Sequence, residues 1–272
     1  MTILLKKRLI DLSTPKVMGI LNLTPDSFYD GGQLKFDSQI LKLAEKHLKD
    51  GAFALDLGGY SSRPGADHIS EEYELGRVLP VVELLTKEFP EAPLSIDTFR
   101  STIADACLKS GASMINDISG SQIDPKILEV VAEHQVPYIG MHMKGTPQTM
   151  KDLCQYDNLV VEMRMYFSNL IKRCTELHIH DVIIDPGFGF AKNTEQNFQI
   201  LRELKEFQLL DCPILIGLSR KSMIYKTLGT NASEALNGTT ALNMIALQNG
   251  ASILRVHDVK EAMECVTLSQ NL

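Results

Sequence analysis

The chain has no stretch near the ~18 uninterrupted apolar residues of a membrane span, so no bilayer-crossing helix is expected. Its start, MTILLKKRLIDLSTPK, places a short apolar patch before Lys6, Lys7 and Arg8. A secretory signal has the opposite order, charges first. The five cysteines (Cys107, Cys154, Cys174, Cys212 and Cys265) are odd in number, far apart, and include no CxxC pair. That argues against a zinc site or a disulfide framework, and predicts free thiols in a reducing, cytoplasmic setting. A basic excess is also lacking: 27 Lys+Arg stand against 34 Asp+Glu, a net charge of −7. Such a balance does not suit a phosphate-backbone surface, so no nucleic-acid partner is expected. No Ser/His/Asp or Cys/His constellation suggests a protein nucleophile. No fixed repeat period suggests a solenoid.

What is present is globular in composition, 44% hydrophobic and 22% charged. Eight short apolar runs alternate with longer amphipathic stretches: 17–22, 53–58, 93–97, 113–117, 136–142, 181–185, 213–218 and 252–257. Several are apolar on both sides of the alternation, as parallel strands covered on both faces must be. Helical patterns fill the gaps. The segment 70–89 opens with Ser70 as a candidate cap and with Glu71, Glu72 and Glu74 at the positive end of the helix dipole. Pro80 is expected to kink or split that helix. From Asn22 to Arg255 the seven strand-to-strand steps average about 33 residues, enough for a strand, a helix and two loops. The pattern predicts an α/β fold: a (β/α)8 TIM barrel forming a single domain over 1–272, with its core at about 17–270. The residues before Val17 form a leader, expected as a short hairpin or a cover for the barrel bottom. A doubly wound open sheet is the alternative, but no GxGxxG follows the first run.

In such barrels the chemistry sits at the C-terminal ends of the strands. Here those ends read Asn22, Asp56, Asp97, Asn116–Asp117, Met141–His142, Asp185, Ser219–Arg220–Lys221 and Arg255–His257. One such ending is ordinary turn chemistry, whereas seven or eight converging on one rim point to a ligand. Asp97, Asn116 and Asp185 suit the amino and N–H edges of a flat heterocycle. Lys221, Arg255 and His257 are cations after the last two strands, where barrels often hold phosphate. GLSRKSM adds backbone N–H groups at a predicted helix start. The loops 22–32 and 58–70 are Gly/Pro-punctuated and longer than minimal connections, as lids are. Arg63 in one lid would close on an anion; Asp26 or Asp30 in the other would meet a metal or a developing cation.

Taken together, MGILNLTPDSF, SRPGA, the SID strand end, INDI, MHMKGTPQTM, DPGFGFAK, LIGLSRKSMI and RVHDV resemble the dihydropteroate synthases of bacterial folate biosynthesis, in order, from about Val17 to Val259. The resemblance implies a cytoplasmic, homodimeric enzyme with a pterin-binding TIM barrel. It would join p-aminobenzoate to (7,8-dihydropterin-6-yl)methyl diphosphate by a dissociative substitution, releasing diphosphate. It implies pterin binding by Asp97, Asn116, Met141, Asp185 and Lys221, and diphosphate binding by Ser62, Arg63, Arg255 and His257. Asn22 would help hold Mg²⁺. A p-aminobenzoate pocket, contested by sulfonamides, would be formed by Thr24, Phe28, Pro64, Phe190 and Ser222. Asp30, Arg63, Lys221, Arg255 and His257 would carry the chemistry. Tyr60 and Ser62 depart from the family pattern, which has an acidic residue and Thr there, and Tyr29 stands where a small residue is common.

A methyltetrahydrofolate-binding methyltransferase would share the pterin residues but not the TPDSF loop, SRPGA or the cation set. A Schiff-base aldolase on Lys221 fits less well, because that lysine follows Ser219–Arg220 in a loop. His178 and His180 read as surface residues at the barrel bottom rather than as metal ligands.

Overall fold

In the computed structural model residues 1–23, 33–62 and 67–272 are described, the side chains of 33–35 excepted. A hairpin of β1 (Thr2–Leu5) and β2 (Arg8–Asp11) leads the chain. Then come β3 (Lys16–Asn22), β4 (Ala54–Gly58), β5 (Leu94–Asp97), β6 (Met114–Asp117), β7 (Tyr138–Met141), β8 (Val182–Asp185), β9 (Leu215–Ile216) and β10 (Ile253–Val256). All eight are parallel, in the order β8-β7-β6-β5-β4-β3-β10-β9. The two ends of that order meet through an Ile184–Ile214 bridge, with the Ile184 N–H donating to the Pro213 carbonyl at 3.0 Å. The predicted eight-stranded barrel is therefore what forms. The seventh run, PILIGL, shrinks to two ladder residues, consistent with Pro213 having no N–H to give.

The connections carry α1 (Gln33–Lys49), α2 (Glu71–Glu88), α3 (Ser101–Lys109), α4 (Ile127–His134), α5 (Leu159–Glu176), α6 (Thr194–Arg202), α7 (Ser222–Leu228), α8 (Leu236–Gln248) and α9 (Val259–Ser269). Ser70 caps α2 as expected, accepting from the Tyr73 N–H at 3.2 Å. Pro80 does not split this helix, which runs through it to Glu88. The carbonyl that loses its donor belongs to Gly76, and both Gly76 and Pro80 are exposed, so water can serve the orphan. The opposite face, Val78, Val81, Val82 and Leu85, is buried.

Alternation sorts each strand. Outward residues such as Leu55, Leu57, Ile96, Ile115, Tyr138, Ile184 and Leu254 pack beneath the helices. Inward residues Met18, Ala54, Met114, Ile139, Ile183, Leu215 and Ile253 form a separate apolar layer low in the barrel, closed by Ile3 and Leu5 of the hairpin. The Leu4 N–H donates to Asp181 at 2.9 Å and the Lys6 ammonium to the Pro90 carbonyl at 2.7 Å, which pins the leader there. The leader is thus a hairpin and also a plug for the bottom. His178 and His180 lie in the turn before β8, at that same end, and both are exposed.

Candidate active site

Two residues above the dry layer, the inward positions of β4, β6, β8 and β10 turn polar: Asp56, Asn116, Asp185 and Arg255. Asp56, fully buried in β4, accepts from Arg255 Nε at 2.5 Å and from the Asn116 amide at 3.1 Å, both on Oδ2. Its Oδ1 is buried without a hydrogen-bond partner among the described residues. Arg255 Nη2 donates to Asp97 Oδ2 at 2.7 Å. One guanidinium thus bridges carboxylates from β4 and β5. Burial acts to lower the Arg255 pKa, but the Asp56 and Asp97 charges win and hold it above its ordinary value. Burial raises Asp97, against the pull of Arg255.

Asp185 ends β8, and its Oδ1 accepts from the Gly187 N–H at 2.7 Å. Burial raises its pKa, with the Lys221 charge opposing. Lys221 stands just before α7, in extended backbone (φ −75°, ψ 155°), and Ser222 begins the helix, as predicted from GLSRKSM. The Lys221 ammonium donates to the Phe188 carbonyl and lies 4.7 Å from the centre of the Phe190 ring. Burial pulls its pKa down to about 8, against the charge of Asp185. On the other wall the Asn22 amide nitrogen is 3.5 Å from His257 Nε2, and His257 Nδ1 is 3.0 Å from the Ser219 hydroxyl.

These side chains surround one cavity of about 800 Å³ at the C-terminal end of the barrel, lined by Asn22, Ser62, Asp97, Phe190, Lys221, Ser222, Arg255 and His257 among others. Asn116, Met141 and Asp185 lie deeper, each largely buried. Thr24, Phe28, Asp30, Arg63 and Pro64 lie outside the described residues, as do Asp26 and Tyr29. Tyr60, at the cavity edge, packs edge-on to Phe99 at 5.2 Å between centroids. Its hydroxyl accepts from Gln148 at 2.8 Å and is 3.2 Å from His68 Nδ1. Asp117, named with Asn116 at a strand end, is structural: it accepts from the backbone N–H groups of Ser119 and Ser121 and from the Tyr138 hydroxyl.

Sequence reasoning named Asp56 as a strand end but gave it no part in the site. The signal available was a carboxylate inside an otherwise apolar strand, FALDLG. It also gave Arg255 a single role toward an anion, whereas in the structure three donor–acceptor contacts join Asp56, Asp97, Asn116 and Arg255 into one buried unit.

No group of three or more His, Cys, Asp or Glu side chains among the described residues is placed to hold a metal. A single amide oxygen, that of Asn22, at a rim carrying cations fits Mg²⁺ only in the way that ion usually binds: few protein ligands, with substrate phosphate oxygens and water completing the shell.

Residues 18–257 match the model of the pterin binding enzyme family. The dihydropteroate synthase of Escherichia coli strain K12 is 45% identical over 259 residues, covering 94% of this chain and 91% of its own. The chain belongs to the dihydropteroate synthase family of pterin-binding enzymes. It is accordingly an enzyme of folate synthesis, a transferase. Among solved structures, the Yersinia pestis dihydropteroate synthase in a sulfonamide drug complex aligns with a TM-score of 0.93 at 41% identity, over 100% of this chain and 98% of that one. The Xanthomonas albilineans dihydropteroate synthase with 4-aminobenzoic acid aligns with a TM-score of 0.91 at 38% identity, over 99% and 97%.

Proposed function

We propose that the chain joins p-aminobenzoate to (7,8-dihydropterin-6-yl)methyl diphosphate, giving 7,8-dihydropteroate and diphosphate, and that it works as one pterin-binding barrel domain. The observation that carries this reading is a cavity with two unlike walls. Asp97, Asn116 and Asp185 sit deep with Lys221 beside them, while Arg255 and His257 face the same space from the last strand. Asp185 Oδ1 accepts one bond from Gly187, which leaves its second lone pair and Oδ2 for a bidentate match to the pterin 2-amino/N3–H edge. Lys221 would turn from the Phe188 carbonyl to the ring oxygen. Ser62, Arg63, Arg255 and His257 would take the diphosphate. Thr24, Phe28, Pro64, Phe190 and Ser222 would hold p-aminobenzoate, and a sulfonamide would compete there.

The substitution is dissociative in this reading. The methylene C–O bond breaks first, and its electron pair leaves with diphosphate. The aniline nitrogen then attacks the methylene carbon and loses a proton. Mg²⁺, held by Asn22 and substrate oxygens, would supply Lewis-acid neutralisation of the leaving diphosphate. The protein cations act on the same developing charge, which is where preorganised donors count most. Asp30 would steady the pterin-stabilised cation, and the two long loops would exclude the water that would consume it. The reading extends to a cytoplasmic homodimer acting on small molecules, with no nucleic-acid or membrane partner. No helix among the described residues is long and apolar enough to cross a membrane.

A crystal soaked with the pterin diphosphate and Mg²⁺ tests the assignment. The amino edge should lie on Asp185 and the diphosphate between Ser62, Arg63, Arg255 and His257. A pterin ring bound away from Asp97, Asn116 and Asp185 would refute it.

A further inference from the structure

Lys192 closes the DPGFGFAK motif and has no part in the site described above. Its side chain is buried, with 6% of the residue exposed. Its ammonium lies 3.0 Å from His142 Nδ1, 3.2 Å from the His142 carbonyl, 3.1 Å from the Gly187 carbonyl and 2.9 Å from the Phe190 carbonyl. Three N–H donors therefore meet four acceptors. Two acceptors belong to the end of β7 and two to the loop after β8.

We propose that Lys192 is a positioning residue for the p-aminobenzoate side of the cavity: its ammonium ties the β8–α6 loop to the end of β7 and so fixes Phe188 and Phe190 where Lys221 rests on them. The proposal rests on the reading of Phe190 as part of that pocket.

Burying an ammonium costs several kcal/mol, offset only where acceptors surround it. Removing the ammonium would leave carbonyls without donors in a dry place. The burial of Lys192 also pulls its own pKa down to about 7, against the charge of Asp185. His142 takes the acceptor role. It is buried among Tyr166, Tyr156 and Phe167, with the Tyr166 ring edge-on at 4.9 Å. Burial first, then the Lys192 charge, pulls the imidazole down to about 2, so it stays neutral with a lone pair on Nδ1.

The loop has no slack elsewhere. Gly187 adopts φ +70°, and a Cβ there would fall 2.3 Å from the His142 carbonyl oxygen, so the loop presses on the same carbonyl that Lys192 binds. At the rear Asn197 of α6 accepts from the Gly189 N–H at 2.7 Å and donates to the Lys192 carbonyl at 3.3 Å. Of this loop, residues 188–190 line the cavity. Asp185 is fixed chiefly by the β8 ladder, and its one bond to the loop comes from the Gly187 N–H, ahead of the loop residues that line the cavity. Losing Lys192 should therefore disturb the aryl side more than the pterin side, where Asp97, Asn116 and Asp185 stand on strands.

The test is Lys192→Met, assayed for KM of p-aminobenzoate, for kcat, and by calorimetry for pterin affinity. The expected result is a KM for p-aminobenzoate raised about tenfold, with pterin affinity within about threefold of the parent. An unchanged KM overturns the proposal. An equal loss of both affinities also overturns it, because general loosening would weaken both. Should Lys192→Met not fold, His142→Leu decides. It removes one acceptor and leaves Lys192 in place, and a rise of about threefold in the same KM alone is expected. No rise overturns the proposal. Failure of the functional reading looks different: the parent protein itself would then make no dihydropteroate.

Discussion

The lower and upper halves of the barrel interior are built from the same strands and differ by one step of two residues, ~6.6 Å along a strand. Below, Met18, Ala54, Met114, Ile139, Ile183 and Ile253 meet in a dry layer under the hairpin plug. Above, the next inward positions on four of those strands are Asp56, Asn116, Asp185 and Arg255, all in or behind the cavity. The difference shows how the fold divides its work. The lower layer stabilises the barrel by burying apolar area. The upper layer holds buried charges that contribute little net stability, because desolvation offsets their attraction. Their return is a preorganised field for a charged, flat substrate.

Changes to the upper layer should therefore cost activity first, and changes to the lower layer stability first. The largest effect is expected for Arg255→Ala. It removes a donor proposed for the leaving group and strands Asp56 and Asp97 without their counter-charge. Turnover, followed by diphosphate release, should fall roughly 10²–10³-fold. An activity within twofold of the parent would take Arg255 out of the site. Next comes Asp185→Asn, which offers one acceptor to a two-donor edge. Pterin affinity by calorimetry should weaken roughly 10- to 100-fold, the range for a hydrogen bond to a charged group. Unchanged affinity would show that the pterin lies elsewhere.

A smaller effect follows from Lys221, whose pKa burial lowers to about 8. The ammonium is the donor form, so pterin affinity should fall as pH rises through that value. Between pH 7 and 9 the loss should be roughly tenfold, as the charged fraction drops from about 0.9 to about 0.1. Lys221→Met should flatten this part of the profile, and a profile that keeps its slope would assign the titration to another group. The smallest effect on turnover is expected from Ile3→Ala in the plug. It should lower stability to denaturant by about 2–4 kcal/mol while kcat stays within about twofold. A large loss of kcat in a folded sample would break the division between the layers.

Much of this was legible in the sequence, for physical reasons. Strands buried on both faces leave near-continuous apolar runs, and all eight runs hold a strand of the barrel. Polar residues closing those runs marked the rim, because apolar runs seldom end on an amide, a carboxylate or a cation seven or eight times by accident. What could not be read was pairing across the barrel. Asp56 and Arg255 are 199 positions apart and meet only because β3 lies between β4 and β10. Spacing along one strand carries no trace of that neighbour, so Arg255 read as a cation awaiting an anion. Pro80 does not split its helix, because breaking a helix at proline matters less where the orphaned carbonyl faces water. Nothing in DPGFGFAK says which way its lysine points, and only the fold shows Lys192 turned inward onto His142.

The most direct test of the account is the parent enzyme itself, mixed with the pterin diphosphate, p-aminobenzoate and Mg²⁺, with both products followed. Dihydropteroate and diphosphate should appear one for one, and dihydropteroate should not form when p-aminobenzoate is omitted. Folded protein that binds both substrates and forms no dihydropteroate would contradict it.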